Sequence, residues 1–214
     1  MKKLKLGFTL SEILVTLGLM SFLLLILAST LRNVTPDQDK IMLKKAYKLT
    51  ETIVSELVND VELYPEPEDA SGDWALANTG SVNNYYSSGP VSGSTKFCEL
   101  FKSRLNVAKT HKTCAQSTSE AGMRTSADSL VALRSFTTSD GIDWFVTATD
   151  FGTNSAPCII DVDVSGFNKG VNCFEGDTGC SSPDRFSFQV YSSGRVVLLD
   201  NIAKEYLRDT KIAN

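Results

Sequence analysis

Hydrophobic residues are distributed very unevenly along this 214-residue chain. From Phe8 to Leu31 almost every side chain is apolar, and Glu12 is the single ionisable residue. An α-helix over this stretch extends about 36 Å, which exceeds the roughly 30 Å of a bilayer's hydrocarbon core. Lysines at positions 2, 3 and 5 precede it, whereas only Arg32 follows it closely. The positive-inside rule therefore predicts a single-pass anchor with a cytoplasmic N-terminus and everything after Leu31 outside.

A second helical pattern follows the apolar stretch. Apolar residues recur there at three- and four-residue steps, as on one face of an α-helix: Leu43, Ala46, Tyr47, Ile53, Val54, Leu57, Val58, Val61 and Tyr64. Thr35 and Pro36 are a typical helix start, and Pro65 and Pro67 end the pattern. We expect residues 32–64 to form the amphipathic half of the N-terminal helix, with a kink or restart at the first proline and a sheet covering the apolar stripe.

The remaining residues, 65–214, have the pattern of a globular domain. Residues 66–93 are rich in Gly, Ser, Asn, Asp and Pro, which predicts a long loop within a loop region over 65–128. A helix is expected at 97–107 and a short one at 201–210. Five strand signals follow within a predicted sheet over 129–199: Ser129–Phe136, Asp143–Ala148, Cys158–Val164, Arg185–Tyr191 and Gly194–Leu199. The turn signals at 139–141 and 192–194 indicate hairpins.

These patterns together predict an α+β fold. Its long N-terminal helix would have a transmembrane half over 8–31 and an amphipathic half packed on a C-terminal antiparallel sheet.

Glu12 is the unusual residue of the apolar stretch, because a carboxylate placed there costs about 2.5–3.5 kcal/mol on insertion scales. Two explanations are open. Thr9 and Glu12 match a capping box, in which their side chains satisfy amides of the first helical turn. Alternatively, cleavage between Gly7 and Phe8 would create an α-amino group four residues before Glu12, and this charge complements the carboxylate in one chain or between neighbours.

The run from Lys5 to Glu12, KLGFTLSE, with its basic leader and apolar tail, resembles the signal of type IV pilins and type II secretion pseudopilins. The resemblance implies that a prepilin peptidase removes residues 1–7 by cutting after Gly7 and N-methylates Phe8. It also implies that Glu12 pairs with the N-terminus of an adjacent subunit during filament assembly. The chain departs from many members in having no proline within the membrane half.

The function implied by this resemblance is that of a structural subunit of a type IV pilus or type II secretion filament. The expected partners are the prepilin peptidase, other subunits, the assembly platform and the bacterial inner membrane. The subunit would cross that membrane once before entering an extracytoplasmic filament or reaching the cell surface. The alternative is a membrane-tethered binding or adhesion domain that does not polymerise. We expect neither an enzyme nor a nucleic-acid binder, since nucleotide and hydrolase motifs are absent from the sequence and the net charge is −4.

Five cysteines follow the apolar stretch, and an extracytoplasmic location permits disulfides. Short loops favour the pairs Cys98–Cys114 and Cys173–Cys180, and they leave Cys158 reduced and buried in a strand. Pairing of Cys158 with Cys173 or Cys180 is the open alternative. Zinc is disfavoured because the chain has no C-x-x-C and a single histidine.

Acidic residues and turn-forming residues gather between Asp161 and Asp184. Calcium favours oxygen-rich clusters of this kind, but Asn172 stands where an EF-hand loop beginning at Asp161 has its glutamate. We therefore expect a turn-forming loop here and no cofactor or metal in the protein.

Overall fold

The computed structural model describes most of the chain: residues 10–34, 38–66, 75–84, 89–114, 135–149, 151, 157–167 and 169–208. The chain divides into two compact units. The first unit comprises Met1–Gln38 and Lys211–Asn214, and the second comprises Asp39–Thr210.

The described part of the first unit is helix α1, Leu10–Val34. Its polar hydroxyls are satisfied within the helix. Thr16 Oγ1 donates to the carbonyl of Ile13 at 2.9 Å, and Ser21 Oγ donates to the carbonyl of Leu17 at 2.8 Å. Such bonds to the preceding turn let a hydroxyl lie on an otherwise apolar helix without an external partner.

The second unit contains helices α2 (Gln38–Asn59, which begins one residue before the unit), α3 (Lys96–Ser103) and α4 (Asn201–Arg208). Single turns of 3-10 helix lie at Ala75–Ala77 and Gly93–Thr95.

Eight strands are described, all paired antiparallel. A two-stranded sheet contains β1 (Val82–Asn84) and β2 (Gly89–Val91). The six-stranded sheet follows chain order: β3 (Val107–Thr110), β4 (Phe136–Thr138), β5 (Asp143–Val146), β6 (Cys158–Asp163), β7 (Arg185–Val190) and β8 (Val196–Leu198). Antiparallel strands that follow one another in chain order form a meander, and two of its connections, β4–β5 and β7–β8, are short hairpins.

The two faces of the six-stranded sheet differ in chemistry. Trp144, Val162 and Phe186 lie at paired positions on β5, β6 and β7, and they belong to the core cluster that includes Leu43 and other α2 residues. Side chains alternate between faces along a strand, so the neighbouring positions point away from this core. Those positions are buried, and all but Phe145 are polar: Asp143, Asp163, Arg185, Asp161 and Ser187.

Aromatic rings fill the core between the helices and the sheet. Tyr47 of α2 meets Phe188 of β7 edge to face, with ring centroids 5.8 Å apart. Phe101 of α3 meets Trp144 of β5 in a similar arrangement at 5.7 Å. Edge-to-face pairs at these distances add about 0.5–1.5 kcal/mol each beyond the area they bury.

The predicted fold class is wrong in its central feature. The chain does not have one long N-terminal helix packed on a sheet, because α1 and α2 are separate helices and α1 lies in a different unit. A 22-residue helix, α2, packs on the six-stranded sheet instead. Pro36 stands between the two helices, and proline lacks the N–H that an α-helix interior requires.

The predicted strand inventory is also incomplete. Three strands, β1 to β3, lie within the predicted loop region 65–128, before the predicted start of the sheet. The hairpins predicted at 139–141 and 192–194 are present as β4–β5 and β7–β8. Of the strand predicted at 129–136, only residues 135 and 136 lie within the described part of the chain.

Two helices also end earlier than predicted. The helix predicted at 97–107 ends at Ser103, since Val107 begins β3. The amphipathic helix ends at Asn59 because the next residue forms a turn, in which Asp60 Oδ1 accepts hydrogen bonds from the amides of Glu62 and Leu63.

Candidate functional site

Glu12 lies in the first turn of α1 and its side chain is exposed. A carboxylate in the first turn is favoured by the helix dipole, whose positive end is at the N-terminus. The other two residues of the predicted processing site, Gly7 and Phe8, lie outside the described residues. The structure therefore locates the predicted assembly residue and leaves cleavage and methylation as predictions.

Between residues 13 and 24, the exposed apolar side chains of α1 point in every direction around the helix. Nine large apolar side chains between residues 13 and 24 are 47–64% exposed: Ile13, Leu14, Val15, Leu17, Leu19, Met20, Phe22, Leu23 and Leu24. Successive helical residues are about 100° apart, so these side chains surround the helix rather than forming one stripe. A helix that is apolar all round is typical of an interior or of a lipid environment.

Glu12 is the only ionisable side chain between residues 10 and 31. It lies at one end of the apolar surface. A carboxylate transferred to an apolar environment needs a cationic partner or a proton.

Within the described part of the chain, no helix is both long and apolar enough to cross a membrane.

The two disulfides of the structure join the two predicted cysteine pairs. Cys98 of α3 is bonded to Cys114, with Cα atoms 5.8 Å apart, and Cys173 is bonded to Cys180, with Cα atoms 5.9 Å apart. Cys158 of β6 is a buried free thiol. Burial raises the pKa of this thiol to about 12, so it is protonated at neutral pH.

The carboxylates of the acidic segment are engaged with the protein itself. Asp184 accepts hydrogen bonds from the backbone amides of Asn172 and Cys173, both at 3.0 Å, and from Ser165 Oγ at 2.7 Å. Asp163 accepts one from Arg185 Nε at 3.0 Å. Among the described residues, no three His, Cys, Asp or Glu side chains are grouped so that they could hold a metal ion.

Burial raises the pKa of Asp163 to about 6, even though Arg185 opposes the shift, and the nearby charge of Asp184 raises it further.

His111 begins a chain of hydrogen bonds to a buried carboxylate. Its Nε2 lies 2.8 Å from Thr137 Oγ1, and that hydroxyl donates to Asp143 Oδ1. Because the hydroxyl proton points to the carboxylate, Nε2 must be the donor to Thr137. The other oxygen of Asp143 accepts the amide of Phe167 at 2.8 Å. This series of hydrogen bonds thus connects the loop after β6 to the sheet.

Sequence reasoning missed the residues that organise this outer side of the sheet. Asp143, Asp184 and Glu175 each accept backbone amides from segments between 11 and 27 positions away in sequence. A local sequence motif cannot predict such a hydrogen bond, because the donor and the acceptor come together only when the chain folds.

No protein-family model matches this chain, and searches of curated proteins and of solved structures find no similar chain.

Proposed function

We propose that this protein is a structural subunit of a type IV pilus or a type II secretion filament, processed after Gly7 and assembled through α1. Its motor and peptidase are separate proteins in this proposal. The observation that carries the proposal is the surface of α1 between residues 13 and 24, where exposed apolar side chains point in every direction, while one carboxylate, Glu12, lies in the first turn of the helix.

The all-round apolar surface supports assembly through α1. A subunit stored in a membrane and then packed among identical helices meets an apolar environment in both states. The internal bonds of Thr16 and Ser21 suit this role, because neither hydroxyl has to find a partner on a neighbouring helix.

Glu12 supports the same proposal through its charge. In a membrane or a filament interior, its carboxylate needs a cation, and the resemblance of KLGFTLSE to prepilin signals supplies one. That cation is the α-amino group released at Phe8 in a neighbouring subunit. A membrane tether that never polymerises has no neighbouring subunit to supply this cation.

Mass spectrometry of the mature N-terminus tests the processing step. Expression in a host with a prepilin peptidase should yield a chain that begins at N-methylated Phe8. A host strain without the peptidase is the control and should retain Met1. An intact Met1 in the peptidase-containing host would contradict the proposal.

Variants of Glu12 test the assembly step separately from processing. Glu12→Gln and Glu12→Leu should be cleaved normally and yet form few filaments, since both lack the charge. Glu12→Asp keeps a carboxylate and should retain more assembly, and Thr16→Val is an uncharged control on the same helix. Normal filament yield or secretion in Glu12→Leu would favour the alternative of a tethered binding or adhesion domain.

A further inference from the structure

A loop closed by the Cys173–Cys180 disulfide contacts the beginning of α4. Glu175 Oε2 accepts hydrogen bonds from the backbone amides of Asn201 at 2.6 Å and Ile202 at 3.1 Å. These are first-turn amides, which have no carbonyl partner inside the helix. Glu175 is thus a helix cap supplied by a distant segment, and its charge lies at the positive end of the helix dipole.

The residue that normally caps a helix is used elsewhere. Asp200 precedes α4, but its Oδ2 accepts the amide of Ser187 in β7 at 2.9 Å. Helix α4 is only eight residues long, and helices of this length are marginal without tertiary support. The two hydrogen bonds from Glu175 therefore stabilise the first turn of a short helix.

The position of Glu175 depends on both sides of its loop. On one side, Asp184 accepts the amide of Cys173, and Phe174 is buried. On the other side, Gly176 and Gly179 have φ values of +91° and +83°, a region that glycine enters freely. The disulfide to Cys180 closes this side covalently, and two hydrogen bonds within the loop support it: Phe174 N–H donates to Asp177 Oδ2 and Cys180 N–H donates to the Asp177 carbonyl.

Helix α4 in turn connects the sheet to α2. The ring of Tyr206 lies 6.3 Å from the ring of Phe186 in β7, and Lys40 Nζ of α2 lies 5.6 Å from the centroid of Tyr206. Ala203 is completely buried beneath the helix. Loss of α4 would uncover the sheet next to the first turn of α2.

We propose that the Cys173–Cys180 disulfide is an oxidation-dependent lock on α4, which acts by holding Glu175 at the helix N-terminus. A dithiol reductant opens the lock: the S–S bond accepts two electrons and two protons to give two thiols, and the dithiol becomes its own disulfide. In the open state Glu175 no longer caps α4, and the helix frays. This inference goes beyond filament assembly and does not depend on it.

Hydrogen exchange followed by mass spectrometry on the full-length chain tests the lock. The readout compares amides of α4 with amides of β7 in the same molecule. Glu175→Ala removes the capping carboxylate and keeps both disulfides, and the paired change Cys173→Ser with Cys180→Ser opens only the lock. Each should accelerate exchange in α4 by roughly 2- to 30-fold, the range expected for loss of a helix cap, with little change in β7. Glu205→Ala, on the exposed side of α4, is the matched control and should exchange as the wild type does.

The combination of the two changes separates a lock from two independent effects. If the disulfide acts by holding Glu175, then adding Glu175→Ala to the serine pair should accelerate exchange no further. Additive effects would overturn the proposal. Wild-type protection of α4 in the serine pair, or an equal loss of protection in α4 and β7, would overturn it as well.

Discussion

Arg185 and Asp163 form a buried ion pair between adjacent strands, with Arg185 Nε 3.0 Å from Asp163 Oδ2 and side chains 1% and 0% exposed. The guanidinium also lies 5.3 Å from the ring centroid of Phe167. Among the described residues, neither Arg185 Nη1 nor Nη2 has a hydrogen-bond partner. Asp163 is therefore the hydrogen-bonded anchor of this buried cation, and the pair lies where the loop after β6 meets the sheet.

Removal of one partner should be far more costly than replacement of both. We expect Arg185→Met to lower the free energy of unfolding by about 3–5 kcal/mol, because it leaves Asp163 buried without its cation. Arg185→Met combined with Asp163→Leu should recover much of that loss, since no charge is then left unpaired. Denaturant unfolding measures the free energy of unfolding of the single and the double variant. Arg195→Met removes an exposed arginine that stacks on Tyr191 and should cost less than about 1 kcal/mol. Equal losses for Arg185→Met and Arg195→Met would contradict the expectation.

The raised pKa of Asp163 gives the stability of the domain a specific pH dependence. Its folded pKa of about 6 lies above the ordinary value of 3.8, so the folded state binds more protons between these two pH values. Stability from this group is therefore greatest at low pH and is lost as the pH rises through about 6. The free energy of unfolding of the wild type, relative to Asp163→Asn, should fall between pH 4 and pH 6 and stay constant above. A relative stability that rises with pH would mean that Arg185 outweighs burial.

How far the sequence predicts this sheet is visible on β6. The pattern CIIDVDV predicts a strand over Cys158–Val164, and the structure has β6 at Cys158–Asp163, with Val162 in the core. The same pattern does not predict that Asp161 and Asp163 are buried, and these residues also resemble a cation-binding or turn segment. Their burial on the second face depends on Arg185, 22 positions beyond Asp163, and on the loop between them. Pairing over such a distance is a property of the fold, not of a local pattern.

Two of the strands that sequence reasoning missed lack the usual sequence pattern of a strand. Strands β1 and β2 are three residues long, and Asn83, Asn84 and Gly89 have low strand propensity, so neither segment shows apolar alternation. The sequence leaves open, for a different reason, whether the N-terminal helix kinks or restarts at Pro36. Pro36 fits both a kink and an end, and helical periodicity on either side cannot distinguish one bent helix from two.

The buried thiol of Cys158 should be chemically inert in the folded protein. The side chain is 1% exposed and its pKa is raised to about 12, so both access and thiolate formation are suppressed. Iodoacetamide should therefore label no cysteine of the oxidised, folded chain at pH 8 and one cysteine after unfolding without reductant. Peptide mapping should place that label on Cys158. Labelling of Cys158 in the folded chain would contradict its burial, and labelling of another cysteine would contradict the disulfide pairing.

Gly194 offers a test of how closely the β7–β8 hairpin packs on α2. Its φ is +84°, and a Cβ atom at this position would lie 2.8 Å from Val58 Cγ2. Gly141, in the β4–β5 hairpin, also has a positive φ of +92°, but a Cβ atom there would meet nothing within 4 Å. The two glycines therefore share a backbone requirement and differ in the space around them.

Substitution of each glycine by alanine should separate the cost of a positive φ from the cost of contact with Val58. Gly141→Ala carries only the backbone penalty of a left-handed residue, about 1–2 kcal/mol. Gly194→Ala adds the overpacking of Val58, typically about 1–3 kcal/mol more. Denaturant unfolding of both variants measures the difference, and Val58→Ala supplies the check. In the Val58→Ala background the extra cost of Gly194→Ala should largely disappear, because the methyl group that it strikes is absent. Two results would contradict the close packing of the hairpin on α2. Either Gly194→Ala lowers the free energy of unfolding no more than Gly141→Ala does, or its additional loss persists in the Val58→Ala background.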